Sequence, residues 1–241
     1  MNLFKNKSLT NKRNTIKNLP RKINFNYQNS SKNRSEFHKT ALIKKMFKLF
    51  QNDTEDKLIN ALKKNINDYD LVIINQQITK GLHQNSFPTK LQEVIDATNI
   101  DFISDCRNKE VEYSNTFLKT NIHEAIQKGL FIEGDSDQPI IQKKIDKGFY
   151  KKIVISQESK GCLVFSGKEK IEIPVPRDVK DTVGGGDSLL TGISIGLISG
   201  CDMIQSTLIG CLSAFVTIQK PFQTGTVNPD EIMLSLKQII N

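Results

Sequence analysis

The sequence lacks the features of a zinc-binding, secreted or membrane-spanning protein. Its cysteines are far apart and form no Cys-x-x-Cys pair or other zinc-ligand spacing: Cys106, Cys162, Cys201 and Cys211. Isolated cysteines are typical of reduced thiols, so we expect a cytoplasmic protein. No apolar run has transmembrane length and the N-terminus has no apolar signal segment, so we expect no membrane partner. A mitochondrial presequence is less favoured because the N-terminus contains few arginines.

Acidic residues are nearly absent from the first fifth of the chain. Residues 1–50 contain 13 Lys or Arg residues and a single acid, Glu36, whereas the remaining residues carry a net charge of −4. This Asn-rich composition predicts a solvated, poorly ordered basic arm over residues 1–50. The alternative is contact with nucleic acid or anionic lipid. We consider nucleic acid the weaker candidate because the arm has no recognised RNA-binding module.

The rest of the chain alternates β-branched runs with helical periodicity. This alternation predicts an α/β fold whose sheet is mostly parallel. We expect strands at 71–74, 101–104, 116–119 and 153–155, and a hairpin formed by 162–165 and 169–173. We expect helices over about 54–64, 86–99, 122–129, 138–147, 187–199, 203–219 and 229–240.

Three consecutive glycines, Gly184, Gly185 and Gly186, precede Asp187 and a long apolar helix. Glycine lets the backbone N–H groups at a helix start converge on one point, which favours an anion. Asp187 would then accept a proton from an attacking hydroxyl. The alternative, of equal weight on these residues alone, is a flexible turn with Asp187 as the helix N-cap. A P-loop and a dinucleotide fingerprint are excluded: the chain has no GxxxxGK[ST], and Leu189 replaces the third glycine.

Three segments resemble the ribokinase/PfkB carbohydrate kinases. DTVGGGD, residues 181–187, resembles the signature D-T-x-G-A-G-D, with Gly185 in place of the usual alanine. TNIHEA, residues 120–125, resembles the N-x-x-E element, and SAFVTIQKPFQTGTVNPDEI, residues 213–232, resembles the nucleotide-pocket and C-terminal segment. The resemblance covers residues 54–241, is closest to the kinase half of ADP-heptose synthase, and implies a ribokinase-like fold with helices flanking the sheet.

The resemblance also implies roles for individual residues. Asp187 would be the catalytic base, and Gly184, Gly185 and Gly186 would stabilise charge on the phosphoryl group transferred from ATP. Magnesium and its waters would be organised by Asn121 and Glu124. The nucleotide would be contacted by Ser156, Gly161, Thr224 and Gly225. The acceptor would be a small sugar or sugar phosphate.

The chain also departs from the family pattern. Glu158 lies where the family's T-x-G-x-x-G element usually has a glycine near ATP. The N-terminal strands, the G-G-x-x-N sugar-binding segment and the β lid of family members have no counterpart here. We therefore expect impaired sugar phosphorylation unless a complementing chain or a second copy supplies the missing half. The alternatives are an inactive kinase fragment that at most binds nucleotide, and a binding protein that uses its basic arm.

Overall fold

A computed structural model of the protein describes residues 52–78, 81–135, 137–173, 183–220 and 226–240. The basic arm predicted for residues 1–50 lies outside these ranges. Six strands form one sheet: β1 (Leu71–Gln76), β2 (Asp101–Cys106), β3 (Thr116–Asn121), β4 (Tyr150–Ser156), β5 (Cys162–Ser166) and β6 (Glu169–Ile173). The helices are α1 (Asn52–Asn65), α2 (Phe87–Asp96), α3 (Ile122–Gln127), α4 (Pro139–Asp146), α5 (Gly185–Ile198), α6 (Met203–Ile218) and α7 (Pro229–Ile240).

The strands lie in the sheet in the order in which they follow one another along the chain. β1 to β4 pair in parallel, whereas β4, β5 and β6 pair antiparallel. Parallel neighbours are joined by crossovers that are usually helical. Here α2 lies between β1 and β2, α3 and α4 lie between β3 and β4, and a loop over 107–115 joins β2 to β3. The hairpin β5–β6 needs only a short turn. The mostly parallel α/β sheet predicted from the sequence is therefore confirmed.

Helices cover both faces of the sheet, which explains why β1, β2 and β3 are buried almost throughout. Alternate residues of each strand point to opposite faces. Phe102 packs among residues of α1 and α2, and Leu118 among residues of α3 and α4. Their chain neighbours Ile103 and Phe117 pack against α5 and α6 on the other face. The result is a three-layer arrangement with the sheet in the middle.

Close packing between α5 and α6 fixes the position of the start of α5. A β-carbon added at Gly192 would lie 2.7 Å from the Cα of Gly210, and one added at Gly196 would lie 2.7 Å from the Cα of Ser206. Only hydrogen fits at these positions, so the two helix backbones approach closely. The Ser188 and Thr217 hydroxyls share a hydrogen bond of 2.7 Å between the two helices.

The predicted elements are all present, with shifts at their ends. β1, β2 and β3 each continue two residues beyond the prediction, because polar residues there are taken into the sheet. The helix α5 begins at Gly185, two residues earlier than predicted. Within the described ranges, no helix combines the length and the apolar character needed to cross a membrane.

Candidate active site

Polar side chains end the first three strands at one edge of the sheet. Asn75, Asp105 and Lys119 lie near the carboxyl ends of β1, β2 and β3, and Asn75 pairs in register with Asp105. By the two-residue alternation, each lies on the same face as the apolar residue two positions earlier, which is the face covered by α5 and α6. The carboxyl edge of a parallel sheet is where α/β proteins commonly bind ligands.

The start of α5 lies over this edge. Gly184 is the N-cap residue and has φ 81°, a left-handed conformation that glycine adopts without strain. Gly185 and Gly186 form the first residues of the helix, and Asp187 is its third residue. The alternative in which Asp187 caps the helix is therefore wrong. The glycines shape the first turn itself, and the Asp187 side chain is not needed as a cap.

Gly185 and Gly186 differ in what an added side chain would meet. A β-carbon at Gly185 would lie 3.0 Å from Cγ2 of Ile218 at the end of α6. The methyl group of Ile218 therefore occupies space that the family's usual alanine would need. A β-carbon at Gly186 would lie 3.5 Å from the Nζ atom of Lys119. The ammonium group of Lys119 therefore lies directly against the glycine turn.

Neighbouring amides orient the carboxylate of Asp187, which is half-buried. The Nδ2 of Asn75 donates a hydrogen bond of 3.5 Å to Oδ1 of Asp187. Asn75 is held in turn, because Nε2 of Gln77 donates to its Oδ1 over 2.6 Å. Two successive hydrogen bonds, from Gln77 to Asn75 and from Asn75 to Asp187, therefore link the end of β1 to the first turn of α5.

Asp105 and Lys119 form a buried ion pair beneath the glycine turn. Nζ of Lys119 lies 2.7 Å from Oδ2 of Asp105, and each side chain is only 7% exposed. Burial raises the pKa of Asp105, and Lys119 opposes that rise by its charge and its hydrogen bond. The carboxylates of Glu124 and Asp187 raise the pKa of Asp105 further. Three carboxylates and one ammonium group are therefore close enough to interact electrostatically.

The N-x-x-E element forms a capping box at the start of α3. The backbone N–H of Glu124 donates to Oδ1 of Asn121 over 2.8 Å, and the backbone N–H of Asn121 donates to Oε2 of Glu124 over 3.2 Å. The Thr120 hydroxyl also donates to Oε2 of Glu124. Sequence reasoning missed this structural role, although the same spacing is a capping-box signature. The proposed role of Asn121 and Glu124 at a metal stays a prediction.

The residues fit a magnesium ion that is held mainly by water and phosphate. Oε2 of Glu124 is held in place by the capping box, and its Oε1 accepts no hydrogen bond from any residue that the structure describes. The described ranges contain no group of three or more His, Cys, Asp or Glu side chains suited to a metal ion. Magnesium commonly uses one or two carboxylates together with waters and substrate phosphates, so this donor set suffices.

The predicted nucleotide-binding residues are described only in part. Ser156 ends β4, lies in register with Asn121 and donates a hydrogen bond of 3.4 Å to the carbonyl of Thr120. Gly161 has φ 88° and closes the turn before β5. Ser156 therefore lies beside the N-x-x-E element. Thr224 and Gly225 lie outside the described residues, as does Asp181 of the glycine motif.

Glu158 lies in the turn between Ser156 and Gly161. Its φ of 49° is the left-handed conformation that favours glycine, and its carboxylate is exposed, 3.4 Å from Nε2 of His123 on α3. A glutamate therefore occupies a backbone conformation that suits glycine, the residue usually found at this position of the T-x-G-x-x-G element.

The sequence profile described as pfkB family carbohydrate kinase matches residues 21–230. This is most of the chain. The chain belongs to the pfkB family of carbohydrate kinases. The matched region begins within the segment assigned to the basic arm, and the boundary between arm and kinase domain stays a prediction.

Individual pfkB relatives and structures agree with the family assignment. The chain is 27% identical over 195 residues to the bifunctional protein HldE of Trichlorobacter lovleyi, an alignment that covers 76% of this chain and 38% of that protein. The fold is similar to that of phosphofructokinase-2 from Escherichia coli, crystallised with potassium, with a TM-score of 0.64, 16% identity and coverage of 77% of this chain and 63% of that chain. Ribokinase of Arabidopsis thaliana, solved with ribose and ATP, gives a TM-score of 0.59, 16% identity and coverage of 78% and 60%.

These likenesses confirm the ribokinase-like fold of this pfkB chain. The chain spans less than two fifths of the HldE protein and less than two thirds of either kinase structure. At the observed identities, the structural likeness concerns the fold. The assignment of the candidate active site rests on the contacts of the residues described above.

Proposed function

We propose that this chain carries out carbohydrate kinase chemistry, in which the terminal phosphoryl group of ATP is transferred, with Mg2+, to a hydroxyl of a sugar or sugar phosphate. One observation carries the proposal: Asp187 lies in the first turn of a helix that begins with glycines, at the carboxyl edge of a parallel sheet. A carboxylate beside bound phosphate is costly unless it has a chemical task, and proton acceptance is the task that fits.

Asp187 acts as the general base in this proposal. The acceptor hydroxyl attacks the terminal phosphorus, a new P–O bond forms, and the bond to the leaving ADP oxygen breaks. The hydroxyl proton passes to the carboxylate of Asp187. Asn75 supports this step because its amide donates to Oδ1 of Asp187 and holds the carboxylate in one orientation.

The first turn of α5 stabilises the negative charge on the transferring group. Backbone N–H groups in the first turn of a helix have no partner within the helix, and the helix dipole favours an anion there. Gly184 turns the chain into this position, while Gly185 and Gly186 let the phosphoryl group approach the backbone. Phosphoryl transfer depends mainly on such positioning and charge stabilisation.

Asn121 and Glu124 hold the magnesium ion and its waters in this proposal, and the ion neutralises phosphate charge when bound. The nucleotide lies along Ser156, Gly161, Thr224 and Gly225. Free thiols and an ATP requirement both favour a cytoplasmic location.

The acceptor-binding half is proposed to come from outside the described residues. The kinase structures contain more than a third of their length beyond the part matched here. In the part of the chain that the structure describes, no strand pairs with the outer edge of β1. A free edge can add a strand from another chain. We therefore propose that a complementing chain or a second copy completes the acceptor site, and that the isolated chain works slowly.

The test is acceptor-dependent release of ADP by the full chain. We would incubate it with MgATP and a panel of sugars and sugar phosphates, and follow transfer of the labelled terminal phosphate. The proposal expects slow transfer to at least one acceptor. It fails if no acceptor is labelled and if calorimetry shows no binding of MgATP or MgADP at millimolar concentration.

A second candidate is a nucleotide-binding chain without transfer activity. The exposed carboxylate of Glu158 in the nucleotide turn favours it, because that charge opposes nucleotide phosphates. Binding of MgADP without labelling of any acceptor, even after Glu158→Gly, would support this candidate.

A further inference from the structure

Lys119 is a buried lysine whose position neither the apolar core nor the fold requires. Its side chain and that of Asp105 are each 7% exposed. Removing two charges from water is expensive, and replacing such a pair by apolar residues is often neutral or stabilising. β3 is otherwise a buried strand, so an apolar residue would serve the sheet equally well. The pair therefore needs a reason beyond stability.

The position of the ammonium group suggests that reason. Nζ of Lys119 lies within 3.5 Å of the point where a β-carbon of Gly186 would be, which places it against the first turn of α5. A lysine has three N–H donors. Among the described residues, Asp105 is the one acceptor of a hydrogen bond from Nζ of Lys119. The other two N–H groups have no acceptor within the described structure, and the ammonium group lies beside the turn that begins with Gly184.

The surrounding charges make a cation useful at this point. Glu124 and Asp187 are close enough to Asp105 to interact with it electrostatically. A phosphoryl group that enters between these carboxylates is repelled by each of them. A lysine ammonium is a compact positive charge that binds phosphate as a point charge. Asp105 keeps that charge on the side of the sheet that α5 covers.

We propose that Lys119 binds the terminal phosphoryl group of a nucleoside triphosphate together with the first turn of α5, and that Asp105 is the residue that positions its ammonium group. This inference rests on the proposed function and names a further residue of that site. Its alternative is a purely structural ion pair between β2 and β3. If Lys119 binds the terminal phosphoryl group, its loss weakens the binding of a nucleoside triphosphate but not that of a monophosphate. If the ion pair is purely structural, its loss affects both ligands alike.

Calorimetry on the full chain separates these roles. Lys119→Met removes the charge and keeps much of the length, whereas Lys119→Arg keeps the charge. A hydrogen bond to a charged group corresponds to about tenfold or more in affinity. We expect Lys119→Met to weaken MgATP binding by about tenfold or more and to leave AMP binding unchanged. We expect Lys119→Arg to keep most of the wild-type affinity for MgATP. Equal losses for ATP and AMP, or no loss, would overturn the proposal.

Lys119→Met alone leaves Asp105 buried without its partner and can impair folding. The double variant Asp105→Asn, Lys119→Met removes both charges and avoids this problem. It is expected to melt within a few degrees of the wild type and still to have lost the preference for ATP over AMP. If it folds and keeps that preference, Lys119 does not bind the terminal phosphoryl group.

Inorganic tripolyphosphate tests Lys119 independently of kinase activity. We expect tripolyphosphate to raise the melting temperature of the wild type and not that of the double variant. This result would support the Lys119 site even if no sugar were phosphorylated, in which case the proposed function alone would fail. A shift in both proteins, or in neither, would overturn the Lys119 proposal whatever the kinase assay shows.

Discussion

The side-chain amide nitrogen of Asn75 lies 3.5 Å from Oδ1 of Asp187, although 112 residues separate them along the chain. This contact joins the end of β1 to the start of α5. It fixes the direction in which the Asp187 carboxylate points, and Gln77 supports it from behind over 2.6 Å.

We predict that Asn75→Ala lowers the maximal rate of phosphoryl transfer by about tenfold, because Asp187 loses the donor that orients it. The Kd for MgATP is expected to stay unchanged. Gln77→Ala should give a smaller loss, since it acts through Asn75. Asn99→Ala, at an exposed asparagine, is the control. Steady-state kinetics and calorimetry measure both quantities, and an equal loss in Asn99→Ala would refute the orienting role.

The packing between α5 and α6 predicts a stability difference between two glycine substitutions in one helix. Gly196→Ala forces a β-carbon to 2.7 Å from the Cα of Ser206, so it should lower the free energy of unfolding by about 1–3 kcal/mol. Gly186→Ala meets only the end of the Lys119 side chain, at 3.5 Å, and should leave stability unchanged or raise it by about 0.5–1 kcal/mol. Urea unfolding checks both values. Equal destabilisation by the two variants would argue against this packing.

His83 predicts a loss of stability in acid. It is 5% exposed, shares a 2.6 Å hydrogen bond with the Tyr113 hydroxyl, and its Nε2 has no partner within the described structure. Burial lowers the pKa of His83 to about 4. Because that value is below the unfolded pKa, protons bind the unfolded chain more readily, and stability falls as the pH drops from about 6.5 to about 4. The full loss is about 3 kcal/mol.

His83→Asn, which keeps a polar atom near Tyr113, should remove that part of the pH dependence in urea unfolding at pH values between neutral and 4. His123→Asn is the matched control, because His123 is exposed. If the wild type and His83→Asn lose stability in parallel as the pH falls, burial of neutral His83 is not the cause.

Glu158 predicts a gain in nucleotide affinity on mutation. Glu158→Gly removes both the carboxylate and the strain of φ 49°, so the Kd for MgATP should fall several-fold. Glu158→Gln removes the charge alone and should give part of that gain. Calorimetry on the three proteins measures the difference. No gain in either variant would show that Glu158 does not oppose the nucleotide.

The fold could be predicted from the sequence because each element has a clear pattern. β-Branched runs such as Leu71–Ile74 give the buried strands, and Asp202 and Asn228 mark helix starts. The ends were less accurate where polar residues continue a buried strand, as at Asp105 and Thr120. In the sequence these residues look like the start of a loop.

The candidate site was predicted only in part, because several of its residues are far apart in the sequence. The glycines and Asp187 stand out as one local motif, whereas Asn75, Asp105 and Lys119 are distant in sequence and meet only in the folded sheet. A usable signal exists in hindsight: three successive apolar strands each have a polar residue near the carboxyl end on the same face. The N-x-x-E spacing was ambiguous because it describes both a capping box and a metal-binding pair.

The central claim is that Asp187 accepts the proton of the acceptor hydroxyl, and Asp187→Asn tests it most directly. Asp230→Asn is the matched control, since Asp230 is an exposed acid in the first turn of another helix. We predict that Asp187→Asn binds MgATP at least as tightly as the wild type and loses at least about a hundredfold in the rate of labelled phosphate transfer. Transfer by Asp187→Asn at the rate of Asp230→Asn would contradict the account.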